Sequence, residues 1–240
     1  MGDNLNNNST DYIVSAFKGA LGAADIFAGS LVAELVGVIV PAQRLDRLVD
    51  FARRLEKRIA SLDKEAVRAR LTDENFTDLM EEASLEAVRA VTEERREYLA
   101  ATLASGLDDQ RISFVEAKHL LRILGQINDI EVIWLRSYLH PHYLGGEQDE
   151  FRQKHKDLLR PTAVHNQSTD EERDKHALRR NYLEHLTSLG LIQQPLKIDS
   201  KTGEPIYDKN ARMWSTEQPR VTRLGRLLLR QIGFAMEPDS

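Results

Sequence analysis

Four of the seven histidines of this 240-residue chain, His140, His142, His155 and His165, fall in one polar stretch, and the His-X-His pair is its nearest approach to a metal-ligand motif. Imidazole is a common metal ligand, but the pair has neither a matching carboxylate nor a third fixed ligand, so these are read as solvated loop residues. The absence of cysteine excludes disulfides, thiolate catalysis and cysteine-ligated zinc, and it fits a reducing compartment. There is no glycine-rich phosphate loop, no Gly-X-Ser-X-Gly and no His-Glu-X-X-His. The carboxylate pairs Glu81-Glu82 and Glu93-Glu94 lie on polar helix faces, away from apolar surroundings that could push their pKa values apart. No catalytic residue, cofactor or metal is expected, and the chain reads as non-enzymatic.

Cations supply the remaining chemistry. The net charge of −5 argues against a protein that coats nucleic acid over its whole surface, yet the charge is unevenly placed. From Lys175 to Ser240 eleven basic residues oppose seven acidic ones, a local charge of +4. If this end held DNA as a winged helix does, the contacts would be Arg173, Lys175, His176, Arg179 and Arg180 on a helix, with Lys197, Lys201 and Lys209 on the wing. Asp170-Glu171-Glu172 and Glu184 oppose that use, since they would meet phosphates with the wrong sign. A second basic stripe, Arg44, Arg47, Arg54 and Arg58 around Phe51, belongs to a segment of charge +4 over residues 44–70. Phosphates of lipid or nucleic acid could be gripped there, but the segment after Asp73 offers a nearer partner. Nine carboxylates against three arginines over residues 73–97 give that segment a charge of −6.

Helices must position these groups, because aromatics are 6% of the chain and Gly and Pro are few. Residues 1–11 are polar and read as a disordered tail without the basic start of a signal peptide. Residues 12–40 are the most apolar run, interrupted by Lys18, Asp25 and Glu34; they are expected to be buried in the protein, with docking on a membrane surface as the competing reading. Over residues 44–70, Leu45, Leu48, Ala52, Leu55, Ile59, Leu62, Ala66 and Ala69 alternate steps of three and four. Leu45, Leu48, Leu55, Ile59 and Leu62 are therefore the candidate helix seam or oligomer contact. Residues 73–106 read as two short helices, with Phe76, Met80, Ala83 and Ala87 on one stripe, Leu99 and Leu103 on the other, and Thr92 as a cap. Two more helices follow over 116–139, with Asn128-Asp129 between them, and then a loop inserted at 140–170 that holds one short helical candidate near 151–159. A longer helix from Asp170 would bury Leu178, Tyr182, Leu186 and Leu189 and end at Gly190. A strand near 196–198, a turn at 201–204 and a second strand through Ile206-Tyr207 or Met213-Trp214 make a hairpin. Thr222 caps a closing helix.

With these elements laid out, residues 31–234 resemble the abortive infection alpha-like (Abi-alpha) family of bacterial proteins. The resemblance rests on the apolar helix leading through Pro41 into a charged heptad helix, on EEASLEAVRAVTEERREYLAATLASGL, and on YLEHLTSLGLI followed by a wing and VTRLGRLLL. It implies a bacterial cytoplasmic or phage-borne protein connected with defence against phage, with no activity attached to particular residues. The inserted loop departs from the family pattern.

The expected fold is mainly α: a disordered tail over 1–11, a helical bundle over 12–110, and a winged helix-turn-helix-like domain over 111–240 with a small β-hairpin wing and an inserted loop at 140–170. The expected role is that of a helical interaction protein whose partner is a second copy or another helical protein. A winged-helix DNA-binding transcriptional regulator is the alternative.

Overall fold

The computed structural model describes residues 42–60, 62, 73–108, 112–139, 147–160, 165, 167–208 and 213–234. Among them the chain is mainly helical, with nine helices and two two-stranded antiparallel sheets. They form two compact units: one from residues up to Gln126 joined by those from Arg230 onward, the other from Ile127 to Leu229.

The first unit is a bundle of α1 (Ala42–Ile59), α2 (Glu74–Arg89), α3 (Glu93–Asp108) and α4 (Phe114–Gln126). Leu48, Phe51, Ala52, Leu55 and Ile59 recur at helical spacing on α1 and are buried, with α2 and α3 as its neighbours. Phe76, Leu79, Met80, Ala83 and Ala87 of α2 and Leu99, Ala100 and Leu103 of α3 complete that core. The caps are local: Asp73 Oδ1 accepts from Asn75 N at 2.8 Å, and Thr92 Oγ1 accepts from Arg95 N at 3.2 Å. The end of the chain returns to this unit, where the ring of Phe234 lies 5.7 Å from that of Tyr98.

Two expectations change here. The helix read over 44–70 ends at Ile59, where Leu62 N closes back on Ile59 O at 3.0 Å, and Leu62 is half-buried in the bend that follows. The boundary between units falls after Gln126 rather than near residue 110, because Leu120, Leu121 and Leu124 of α4 are buried in the N-terminal bundle with α2 and α3. The readings of residues 1–40 and 63–70 and of the Leu45 side chain lie outside the described residues.

The second unit holds α5 (Asp129–Ser137), α6 (Glu147–Lys154), α7 (Lys156–Leu159), α8 (Asp170–Ser188), β1 (Ile192–Gln193), β2 (Tyr207–Asp208), β3 (Met213–Trp214), β4 (Arg220–Val221) and most of α9 (Arg223–Gln231). Capping boxes start α5 and α8, at Asn128 with Glu131 and at Thr169 with Glu172. Part of the predicted loop is docked structure: Phe151 of α6 is buried under the Arg136 guanidinium, 4.3 Å from its ring, and Arg152 Nη2 donates to Ser137 O at 2.8 Å. The stripe expected along α8 holds over its C-terminal half alone. Leu186 is buried and Tyr182 and Leu189 half-buried, but Leu178 is 54% exposed and every residue from Asp170 to Leu178 faces solvent. The cause is where α8 is fastened: His185 Nδ1 lies 2.6 Å from the buried Glu131 Oε1, and the Arg179 guanidinium sits 4.8 Å over the Trp134 ring, both on α5.

Candidate functional site

Residues 194–219 separate the paired strands β1 and β4, in which Ile192 lies opposite Val221. Where the sequence predicted one hairpin, the structure forms two on a common stem. Leu196 opposite Thr216 extends the stem, Ile198 opposite Pro205 closes the first hairpin, and Tyr207 opposite Trp214 forms the second. Gly203, at φ +71°, lets Asp199 N reach Glu204 O at 2.9 Å. The three limbs meet where Lys197 N donates to Ser215 O, Ser215 N to Ile206 O and Ile206 N to Lys197 O, at 2.9, 2.8 and 2.9 Å, a closed ring of backbone hydrogen bonds.

Residues directly opposed across strands, and residues two apart along one strand, share a face. Each of Leu196, Ile198, Pro205, Tyr207, Trp214 and Thr216 is one such step from the next, so all six stand on one side of the junction. Lys197, Ile206 and Ser215 stand on the other. The first side is uncharged and open: Leu196 is 42% exposed, Ile198 49%, Tyr207 47% and Trp214 51%. The Tyr207 and Trp214 rings meet edge to face at 5.2 Å. Sequence reasoning treated Ile206-Tyr207 and Met213-Trp214 as alternatives, and the period-two spacing of Leu196 and Ile198 was the available sign of an apolar face.

Most of the basic residues singled out for DNA on α8 are engaged by neighbouring side chains. On α8, Lys175 Nζ lies 2.6 Å from Glu171 Oε1 and Arg180 Nε 2.8 Å from Glu184 Oε1, while Arg173 Nη1 is 3.6 Å from Asp170 Oδ1. The hydrogen bond from Lys175 and its charge hold the Glu171 carboxyl below its ordinary range. Arg179 is turned onto Trp134, and His176 is exposed. Lys197 and Lys201 are exposed on the first hairpin, and Lys209 lies outside the described residues.

The other candidates are absorbed by the fold. Leu48 and Leu55 have no exposed surface and Ile59 has 5%, so these residues form an intramolecular seam and cannot also touch a second copy. The basic stripe of α1 meets the acidic helices: Arg54 Nη1 and Nη2 donate to Glu97 and Glu93 at 2.9 Å each, Arg58 Nε to Glu97 at 2.8 Å, and Arg47 Nη1 to Val88 O at 3.2 Å. Arg96, buried, and Arg54 both donate to Asp50. Burial works to raise the Asp50 and Glu97 carboxyls, but the arginine hydrogen bonds and charges outweigh it and hold both below their ordinary values. His155 is half-buried against Phe151, His165 is exposed beside Ser168, and His140 and His142 lie outside the described residues. No cluster of three metal-ligating side chains and no helix long and apolar enough to cross a membrane occurs among the described residues.

No family model, curated protein or solved structure matches this chain. The resemblance over residues 31–234 therefore rests on its motifs.

Proposed function

We propose that this is a non-enzymatic, self-associating protein whose C-terminal unit is a winged-helix variant that binds a second copy of the chain through the uncharged face of its wing. The observation that carries the reading is the coplanar set Leu196, Ile198, Tyr207 and Trp214, which is apolar, aromatic and exposed on a junction held by backbone bonds. Exposed apolar patches of this kind mark interaction surfaces, and paired Tyr and Trp are the residues that anchor them. A winged-helix relation is supported by the order of α5, α8, the wing and α9.

A second copy suits the face better than a charged partner. An uncharged patch repeated across a two-fold axis sets no like charges against each other at its centre. Its rim carries both signs, Lys201 with Glu204 on one hairpin and Asp208 on the other. Iodide quenching of the exposed Trp214, measured as protein concentration rises, tests the assignment. Quenching should fall as the face is covered, and quenching independent of concentration would remove the wing from the interface.

DNA binding is the second reading, favoured by Lys197 and Lys201, which are exposed and form no ion pair with a described residue. Generic-duplex binding that falls steeply with salt and is lost in an Arg179→Ala/Arg180→Ala variant would support it over association. The resemblance to the Abi-alpha family supports a bacterial cytoplasmic setting and a role in phage defence. Plaque counts on cells expressing the chain or its Trp214→Ala variant test that role.

A further inference from the structure

In the C-terminal unit, a cleft of about 670 Å³ opens between the end of α5, the wing stem and the first turn of α9. Lys197, Arg220 and Arg226 line it, against the single carboxylate of Glu217, and Gln218 adds a side-chain amide. Leu139 and Val221, both buried, contribute its apolar lining, together with Tyr138. Burial pushes the Tyr138 phenol up, so it stays a neutral ring there at physiological pH.

We propose that this cleft binds a phosphate-bearing small molecule of mononucleotide size. The volume lies within the range of small-ligand pockets, roughly 300–1,000 Å³. Glu217 is matched by Arg220, so Lys197 leaves the lining with a positive excess that a neutral ligand would not use and a cation would oppose. Arg220 is ion-paired with Glu217, which aligns its guanidinium, whereas Lys197 forms no ion pair with a described residue and is left to meet an incoming anion. Guanidinium forks match phosphate oxygens in pairs, and a lysine adds a point charge, so the set suits a phosphate group. The Gln218 amide both donates and accepts, as recognition of a ring edge or a hydroxyl requires. Thr216, on the same side of the junction as Tyr207 and Trp214, also lines the cleft, so Lys197→Gln, on the opposite side, is the variant that probes the site apart from association.

The test is calorimetric titration of the full chain with AMP, inorganic phosphate, adenosine and a short single-stranded oligonucleotide. AMP should bind saturably at one site per chain, phosphate should compete with it, and adenosine should bind far more weakly. Lys197→Gln, an exposed change that leaves the melting temperature alone, should weaken AMP about tenfold by removing one charged contact. Arg226→Gln should do the same. Failure of both AMP and phosphate to bind at millimolar concentration, or AMP binding indifferent to Lys197→Gln, overturns the proposal. Oligonucleotide binding that requires Lys197 while AMP and phosphate do not bind would assign the cleft to a nucleic-acid backbone and overturn it equally.

Discussion

Gly225→Ala would insert a methyl group where α9 touches the preceding backbone most closely. A Cβ at this position would lie 2.2 Å from the Leu191 carbonyl oxygen and 2.7 Å from Val221 Cγ1, more than 1 Å short of ordinary contact with the oxygen. The carbonyl cannot swing away cheaply. It accepts from Thr222 N at 3.0 Å and lies 3.1 Å from Thr222 Oγ1, which donates to Gly190 O at 2.6 Å and caps α9 by accepting from Gly225 N at 3.1 Å. Alanine gains about 1 kcal/mol in helix propensity, but overpacking costs about 1–3 kcal/mol and a lost hydrogen bond about 1 kcal/mol more. The net expectation is destabilisation of about 1–3 kcal/mol, with the sign set by the clash. The same change at Gly125 in α4 meets nothing closer than Glu86 at 3.9 Å, so Gly125→Ala should stabilise by about 0.5–1 kcal/mol. Both tryptophans, Trp134 and Trp214, lie in the C-terminal unit, so urea unfolding followed by tryptophan fluorescence reads that unit and far-ultraviolet circular dichroism reads both. A Gly225→Ala variant as stable as the parent would refute the close contact and the role given to Thr222 and Gly225 in holding α9 on β1.

Leu55→Ala should cost about 2–5 kcal/mol in the dichroism transition, because the side chain is fully buried among α1, α2 and α3; a loss under about half a kilocalorie would contradict the seam. Asp50 and Glu97 have folded pKa values below their ordinary 3.8 and 4.5, so their contribution is present above those values and lost as pH falls below them. The urea midpoint should therefore hold above about pH 5 and drop progressively as pH falls below it, and Asp50→Asn with Glu97→Gln should flatten that drop; an unchanged slope in the double variant would exclude these groups as its source. At a protein concentration low enough to keep the chain monomeric, Trp214→Ala should leave stability within about 0.5 kcal/mol, since the side chain is half exposed and outside any core; a larger loss there would mean that this face is structural.

Much of the N-terminal bundle was legible because its signals are local. The step of three and four through Leu48, Leu55 and Ile59, the Thr92 cap and the opposed charges of α1 and α3 each depend on residues a turn apart or on simple attraction. Asn128 and Thr222 were legible as caps for the same reason. The extent of a packing partner was not. The stripe on α8 says that Leu178 shares a face with Leu186, and nothing in its spacing says that α5 supports the second and not the first. α4 was misassigned because an amphipathic helix does not encode which neighbour covers it. The wing was read as one hairpin because the pairing of Leu196 with Thr216 and of Tyr207 with Trp214 depends on register between segments up to twenty residues apart, and period-two spacing cannot choose between partners. The apolar face, which carries the proposed function, became visible once that register was known.

Native mass measurement of the full chain, purified without nuclease treatment, tests self-association through the wing most directly, beside a Tyr207→Ala/Trp214→Ala variant at equal concentration. The account predicts a dimer for the parent, a monomer for the variant with the parent's dichroism spectrum at low temperature, and no nucleic acid carried by either. The same mass distribution in both proteins, or a parent found as a monomer bound to nucleic acid, would contradict it.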